Sequence, residues 1–145
     1  MRGLVRVGAA VPSLALGNVK ENMKRHLAMM REAKEKHVSI VTFPELSLTG
    51  YTCGDLFFQR RLLDGVTDAL LALKDEMPEG ILAVVGAPLE IEGALYNCAV
   101  VLHKGEIISA VPKTFLPNNG EFYEKRWFQS GDARRDASVA IPKLK

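Results

Sequence analysis

Phe43-Pro44-Glu45-Leu46-Ser47-Leu48-Thr49-Gly50-Tyr51 is the stretch on which the fold turns. The run Val38 to Phe43 is rich in β-formers and carries the backbone out of an interior. Pro44 has no N–H to donate and cannot continue a central strand. Glu45 therefore stands where a strand stops, at the rim of an apolar body. Loops fixed to a rigid strand end concentrate binding and catalytic groups. A carboxylate there is partly desolvated and can hold a proton near neutral pH. Position alone leaves a plainer alternative open, in which Glu45 caps a backbone end or pairs with a cation.

Upstream, Gly3 to Val11 reads as a first strand, ended by Pro12. Asn18 suits an N-cap, with Glu21 as its capping-box partner. Val19, Met23, Leu27, Met30 and Ala33 then recur at helical spacing to about His37. Met29 and Met30 read as core filler, and His26 and His37 as surface or helix-end charge partners. Two strands joined by such a helix make a βαβ crossover. Downstream, Asp55 is a candidate N-cap of a short helical turn. Leu62, Leu63, Val66, Leu70 and Leu73 mark a second amphipathic helix, ending before Pro78. Ile81 to Gly86 is apolar throughout, as in a strand buried on both faces. Leu95 to Leu102 and Glu106 to Val111 form a hairpin about His103-Lys104-Gly105. After Pro112 comes a long loop, 113–131, with the aromatics Phe122, Tyr123, Trp127 and Phe128, and long loops in compact domains tend to be functional. Ser138 to Ile141 is a weak last strand. The whole is an α/β domain of mixed strand direction.

The 145 residues are 48% hydrophobic and 25% charged, enough for one globular unit with a real core. A mean hydropathy of +0.04 argues against disorder. A net charge of +2 supplies no basic stripe, so nucleic acid is not an expected partner. The Lys/Arg-rich tract from Lys20 to Lys36 is broken by Glu21, Glu32 and Glu35 and reads as a solvated helix face. Val7 to Val11 is too short and interrupted for a signal peptide, and Ile81 to Leu89 is too short for a membrane span. Cys53 and Cys98 match no metal or disulfide spacing; two cysteines leave a single bridge open, and free thiols in a reducing cytoplasm are the expectation.

Lys113 leaves a strand directly, as Glu45 does, and loops leaving strands on one side of a layered α/β fold converge. An acid and an ammonium can thus share one pocket, where the ammonium stabilises an oxyanion; spacing alone equally allows a plain salt bridge. Glu121 is a second acid in the same loop. Phe-Pro-Glu-Leu-x-Leu-Thr-Gly-Tyr at 43–51, and Lys113-Thr-Phe-Leu-Pro with Glu121-Phe-Tyr-Glu after it, resemble the carbon–nitrogen hydrolase (nitrilase) superfamily. The extension Thr52-Cys53-Gly54-Asp55-Leu56-Phe57 is similar to the amino-terminal glutaminase domain of glutamine-dependent NAD synthetases.

The resemblance implies an α-β-β-α four-layer sandwich, of which residues 1–145 make the first half. It implies amide hydrolysis by a Cys nucleophile, with Glu45 as base, Lys113 at the oxyanion and Glu121 orienting the lysine or the base. Tyr51 and Asn119 fall at substrate-contacting positions, although the resemblance implies an aromatic where Asn119 stands. Glutamine is the implied substrate, and the ammonia released passes to the parent's own synthetase domain, where ATP and Mg amidate deamido-NAD. No cofactor is implied for the glutaminase part. The family nucleophile lies after the lysine loop, and no Cys follows Cys98. Cys53 and Cys98 are out of order for it, so the chain is expected to end before its nucleophile, to lack the synthetase domain and to be inactive alone. Two alternatives stay open, a sibling amidase or carbamoylase and a non-catalytic assembly module. A half-sandwich bares an apolar sheet face, which predicts homo-oligomers or partial disorder.

Overall fold

A computed structural model of the chain describes residues 3–133. Five strands form one sheet in the order β1-β2-β3-β4-β5. They are β1 (Val7–Ala9), β2 (Ile40–Thr42), β3 (Leu82–Ile91), β4 (Ala94–His103) and β5 (Glu106–Pro112). β1, β2 and β3 run parallel, while β3, β4 and β5 are antiparallel neighbours. The parallel strands are linked through α1 (Val19–Glu35) and through α2 (Arg60–Glu76), which follows a 3-10 segment at Tyr51–Phe58.

The helices form where periodicity predicts. Asn18 caps α1, accepting the Glu21 N–H at 3.2 Å. The reciprocal half of the capping box does not form, because the Glu21 carboxylate turns to Arg25 at 3.1 Å. α2 buries Leu62, Val66, Ala69, Leu70 and Leu73, and Met77 leaves the helix in an extended conformation before Pro78. Asp55 is not an N-cap: it lies inside the 3-10 segment, and Gln59 precedes α2.

Both central hairpins turn on two left-handed residues, Glu92-Gly93 and Lys104-Gly105, as two-residue hairpin turns require. Only the second is marked in the sequence reading. The first makes β3 longer than its apolar core predicts, carrying it through Pro88. Beyond Val84 the strand no longer has β2 beside it, so a residue without an N–H is tolerated there. The strand expected over 3–11 shrinks to Val7–Ala9, and the one expected at 138–141 lies outside the described residues.

The core lies between the helices and one face of the sheet, where Val41, Ala83, Val85, Val100 and Leu102 are buried. The opposite face follows from register. Val7 is beside Ile40 and Ile40 beside Leu82; Val84 faces Val101, and Ala99 faces Val111. Val7 and Val111 are more than half exposed, and no second layer covers this face among the described residues. One helical layer and one sheet layer make half of a four-layer sandwich. Along β4, Cys98 belongs to the helix face with Val100, and Asn97 to the uncovered face with Ala99.

Candidate active site

The Glu45 turn is fixed by β3 on one side and by α1 on another. Phe43 N–H bonds to the Val84 carbonyl at 2.9 Å and Leu48 N–H to that of Gly86 at 3.1 Å, tying the turn to β3. Gly86 is glycine because nothing else fits: a Cβ there would lie 2.3 Å from both Pro44 O and Leu46 N. Leu46, fully buried, sits at φ 51°, a left-handed conformation that costs a non-glycine residue free energy and persists only when its surroundings hold it. Behind the turn lies a buried polar chain from α1. The Asn22 side chain bonds to the carbonyls of Leu48 (3.0 Å) and Ala15 (2.9 Å). His26 meets the Asn22 carbonyl through Nδ1 (2.7 Å) and Ser47 Oγ through Nε2 (2.8 Å). A carbonyl only accepts, so Nδ1 carries the proton and the Ser47 hydroxyl donates to Nε2. His26 is thus fully buried and stacked 4.4 Å from Phe43, not the helix-edge charge partner expected from its residue type. Burial pulls its pKa down, against the raising effect of the Asn22 bond. Ser47 and His26 have hydrolase-like partners but no solvent access, so they support the turn.

Lys113 follows β5, its N–H bonded to the Asn97 carbonyl at 2.7 Å. Its ammonium donates to Glu45 Oε1 at 2.7 Å and to Glu124 Oε1 at 2.9 Å. Tyr51 O–H reaches the same Glu124 oxygen at 2.7 Å, and the Asn97 amide donates to Glu45 Oε1 through a short bond. Burial pulls the Lys113 pKa down, but the two carboxylates outweigh it and leave it raised. Lys113 is therefore an ammonium at neutral pH. Among the described residues two of its three donors are engaged, which leaves the third to a ligand. The Tyr51 phenol is pushed well above its ordinary range by burial and by Glu124. Glu45, Asn97, Gly86, Val84, Val111 and Lys113 line a cleft of about 380 Å³ on the uncovered sheet face.

The second acid is Glu124, not Glu121. Glu121 is exposed and outside the cluster, whereas Glu124 is buried to 2% side-chain exposure. Glu124 opens a 3-10 turn, Glu124–Arg126, whose end is buried through Phe128. Spacings of three and four residues to Trp127 and Phe128 put its side chain on the inward face, a sequence signal overlooked beside the nearer Glu121. Asn97 was also missed, though it is a polar residue inside an apolar strand run. Asn119 is exposed, and its carbonyl accepts the Phe122 N–H at 3.0 Å. Both cysteines are buried and free. Cys98 points to the opposite face from Asn97, and burial pushes its thiol up to about 12. Cys53 donates to the Thr49 carbonyl at 3.3 Å, and burial raises its pKa too.

The carbon-nitrogen hydrolase family model matches residues 6–143. This chain belongs to the carbon-nitrogen hydrolase family. Within that family it is 41% identical, over 92% of its length, to a glutamine-dependent NAD(+) synthetase of Mycobacterium tuberculosis. It spans only 20% of that relative. A solved glutamine-dependent NAD(+) synthetase from Cytophaga hutchinsonii superposes with a TM-score of 0.82 at 32% identity, covering 87% of this chain and 22% of the other. An amidase from Nesterenkonia sp. superposes at 0.73 with 19% identity over 87% of this chain and 48% of its own, a likeness of fold alone. The chain spans about a fifth of the length of these synthetases and about half of the amidase.

Proposed function

We propose that this chain carries the glutamate–lysine part of a glutamine amidohydrolase site, within a glutamine-dependent NAD synthetase. The observation that carries the reading is the Lys113 ammonium held between Glu45 and Glu124. In the reaction, Glu45 takes the proton of a cysteine thiol, and the thiolate attacks the amide carbon. The carbonyl electron pair moves onto oxygen, where the third Lys113 donor meets it. Collapse breaks the C–N bond, and Glu45 returns the proton to the departing ammonia. Glu45 then takes a proton from water, whose oxygen attacks the thioester; collapse breaks the C–S bond and releases glutamate, and the departing thiolate takes the proton back from Glu45. Glu124 and Tyr51 hold Lys113 in place, and Asn97 holds Glu45. Glu45 Oε2 has no hydrogen-bond partner among the described residues, so it is open to the travelling proton. On this proposal Asn119 is a glutamine contact.

Neither Cys53 nor Cys98 is the nucleophile on this proposal, because both thiols are buried and Cys98 faces away from Glu45. The sulfur comes from beyond these 145 residues, and the chain alone is inactive. ATP and Mg act in the synthetase domain of the whole protein. Among the described residues no group of three or more His, Cys, Asp or Glu could hold a metal ion. No helix among them is long and apolar enough to cross a membrane, and two free thiols suit a cytoplasmic protein. The uncovered apolar face favours association between copies of the isolated chain; a compact monomer by light scattering would contradict that.

The test uses the full-length protein. Glu45→Gln and Lys113→Met each lower glutamine-driven NAD synthesis by about 100-fold or more while ammonia-driven synthesis stays near wild type. Equal loss of both activities overturns the assignment. So does glutamine turnover by the 145-residue chain for the claim of an external nucleophile.

A further inference from the structure

Glu124 opens a short 3-10 turn in the loop that follows β5, and its carboxylate must hold Lys113. Three side chains of the Tyr51–Phe58 segment grip that turn in sequence. Tyr51 bonds to Glu124. Asp55 receives Arg126 Nε at 2.7 Å on Oδ1, Arg126 Nη2 at 2.8 Å on Oδ2, and the Trp127 indole N–H at 3.0 Å on Oδ1. Phe57 packs on Trp127 and Phe128, at ring separations of 5.8 and 5.0 Å. A kink at Gly54, with φ 56° and ψ −135°, immediately precedes Asp55 in this segment. The two segments are 71 residues apart in sequence at Asp55 and Arg126, so the clamp is tertiary, not local.

We propose that Asp55 is a positioning residue for the site: by fastening Arg126 and Trp127 it fixes the turn that aims Glu124 at Lys113. Asp55 touches neither Glu124 nor Lys113. Its geometry is the planar fork that guanidinium and carboxylate form together, and it takes a third donor as well. An exposed ion pair contributes little to overall stability. The value of this one is directional, since it holds a short turn at a set distance from the neighbouring segment. Its catalytic consequence rests on the amidohydrolase reading, but its structural claim does not.

Trp127 is the only tryptophan in the chain, so its fluorescence reports the clamp directly. In the 145-residue chain, Asp55→Asn and Arg126→Gln are compared with wild type, with Asp55→Glu as the conservative variant. Arg60→Gln, which opens the surface pair Arg60–Glu90, is the control. Each protein is read by Trp127 emission and by NMR titration of the Lys113 ammonium. The proposal expects Asp55→Asn and Arg126→Gln to shift the emission and to lower the Lys113 pKa by about half a unit or more, as a carboxylate neighbour is lost. Asp55→Glu restores part of the shift, and Arg60→Gln changes nothing. A Lys113 titration left in place by either clamp variant overturns the proposal, whatever happens to melting temperature. No substrate enters this measurement, so its failure leaves the glutamine reading to its own test.

Discussion

Replacing Gly86 with alanine tests whether the Glu45 turn lies directly on β3. The added Cβ would meet Pro44 O and Leu46 N at 2.3 Å and Glu45 C at 2.8 Å. All three are backbone atoms, so no side chain can swing aside. Relief requires the turn to rise from the strand by about 1 Å, which is the gap to ordinary contact. That motion stretches the Leu48 N–H bond to Gly86 O (3.1 Å) and disturbs Leu46, already held at φ 51°. Overpacking of a closed site costs about 1–3 kcal/mol, and backbone neighbours put Gly86→Ala at the upper end, about 3 kcal/mol. For a chain of this size that lowers Tm by about 10 °C. Urea unfolding followed by circular dichroism measures it. Gly8→Ala is the control, because its Cβ meets Val38 at an ordinary 3.4 Å, and it stays within about 0.5 kcal/mol of wild type. Gly86→Ala as stable as Gly8→Ala would refute the close packing of the turn, and with it the placement of Glu45.

Further outcomes follow from the same contacts. Tyr51→Phe removes a hydrogen bond to a carboxylate with 2% exposure and costs about 1.5–3 kcal/mol by urea unfolding; no change would mean that the phenol does not reach Glu124. Lys113→Met leaves Glu124 buried without its cation and costs about 3 kcal/mol, whereas Glu121→Gln is silent within about 0.5 kcal/mol. For His26, burial holds the folded pKa below the unfolded value of 6.5. Its neutral form is therefore favoured by folding. The resulting stability is complete above the unfolded value and falls as pH drops below it, by at most about 1.4 kcal/mol per unit, until the folded pKa is passed. His26→Asn removes this slope between pH 7.5 and 5.5, and an imidazole that titrates above 6.5 by NMR contradicts it.

Glu45 and Lys113 were legible because each follows a β-rich run ended by proline or a turn, and such ends are visible along a sequence. The helices were legible from spacing, and α1 from Asn18. Glu124 does not stand out in the sequence because two glutamates share the 113–131 loop, and the choice depends on which one the half-buried Trp127 and the buried Phe128 carry inward. His26 occupies the inner stripe of α1, four residues after Asn22 and four before Met30. Its residue type spoke for the surface, and only the Ser47 hydroxyl, brought in by the tertiary fold, makes burial tolerable. Asp55 looked like a cap because aspartate often is one; its partner Arg126 lies far along the chain, where no local rule connects them. Sheet order, too, depends on contacts that sequence spacing does not encode.

The meeting of one ammonium with two particular carboxylates is tested most directly by following the Lys113 ammonium through its titration, in wild type and in Glu45→Gln, Glu124→Gln and Glu121→Gln. The wild-type group titrates above 10.5, Glu45→Gln and Glu124→Gln each bring it down, and Glu121→Gln leaves it where it was. A Lys113 pKa that ignores Glu45 and Glu124, or that answers to Glu121, would contradict the account.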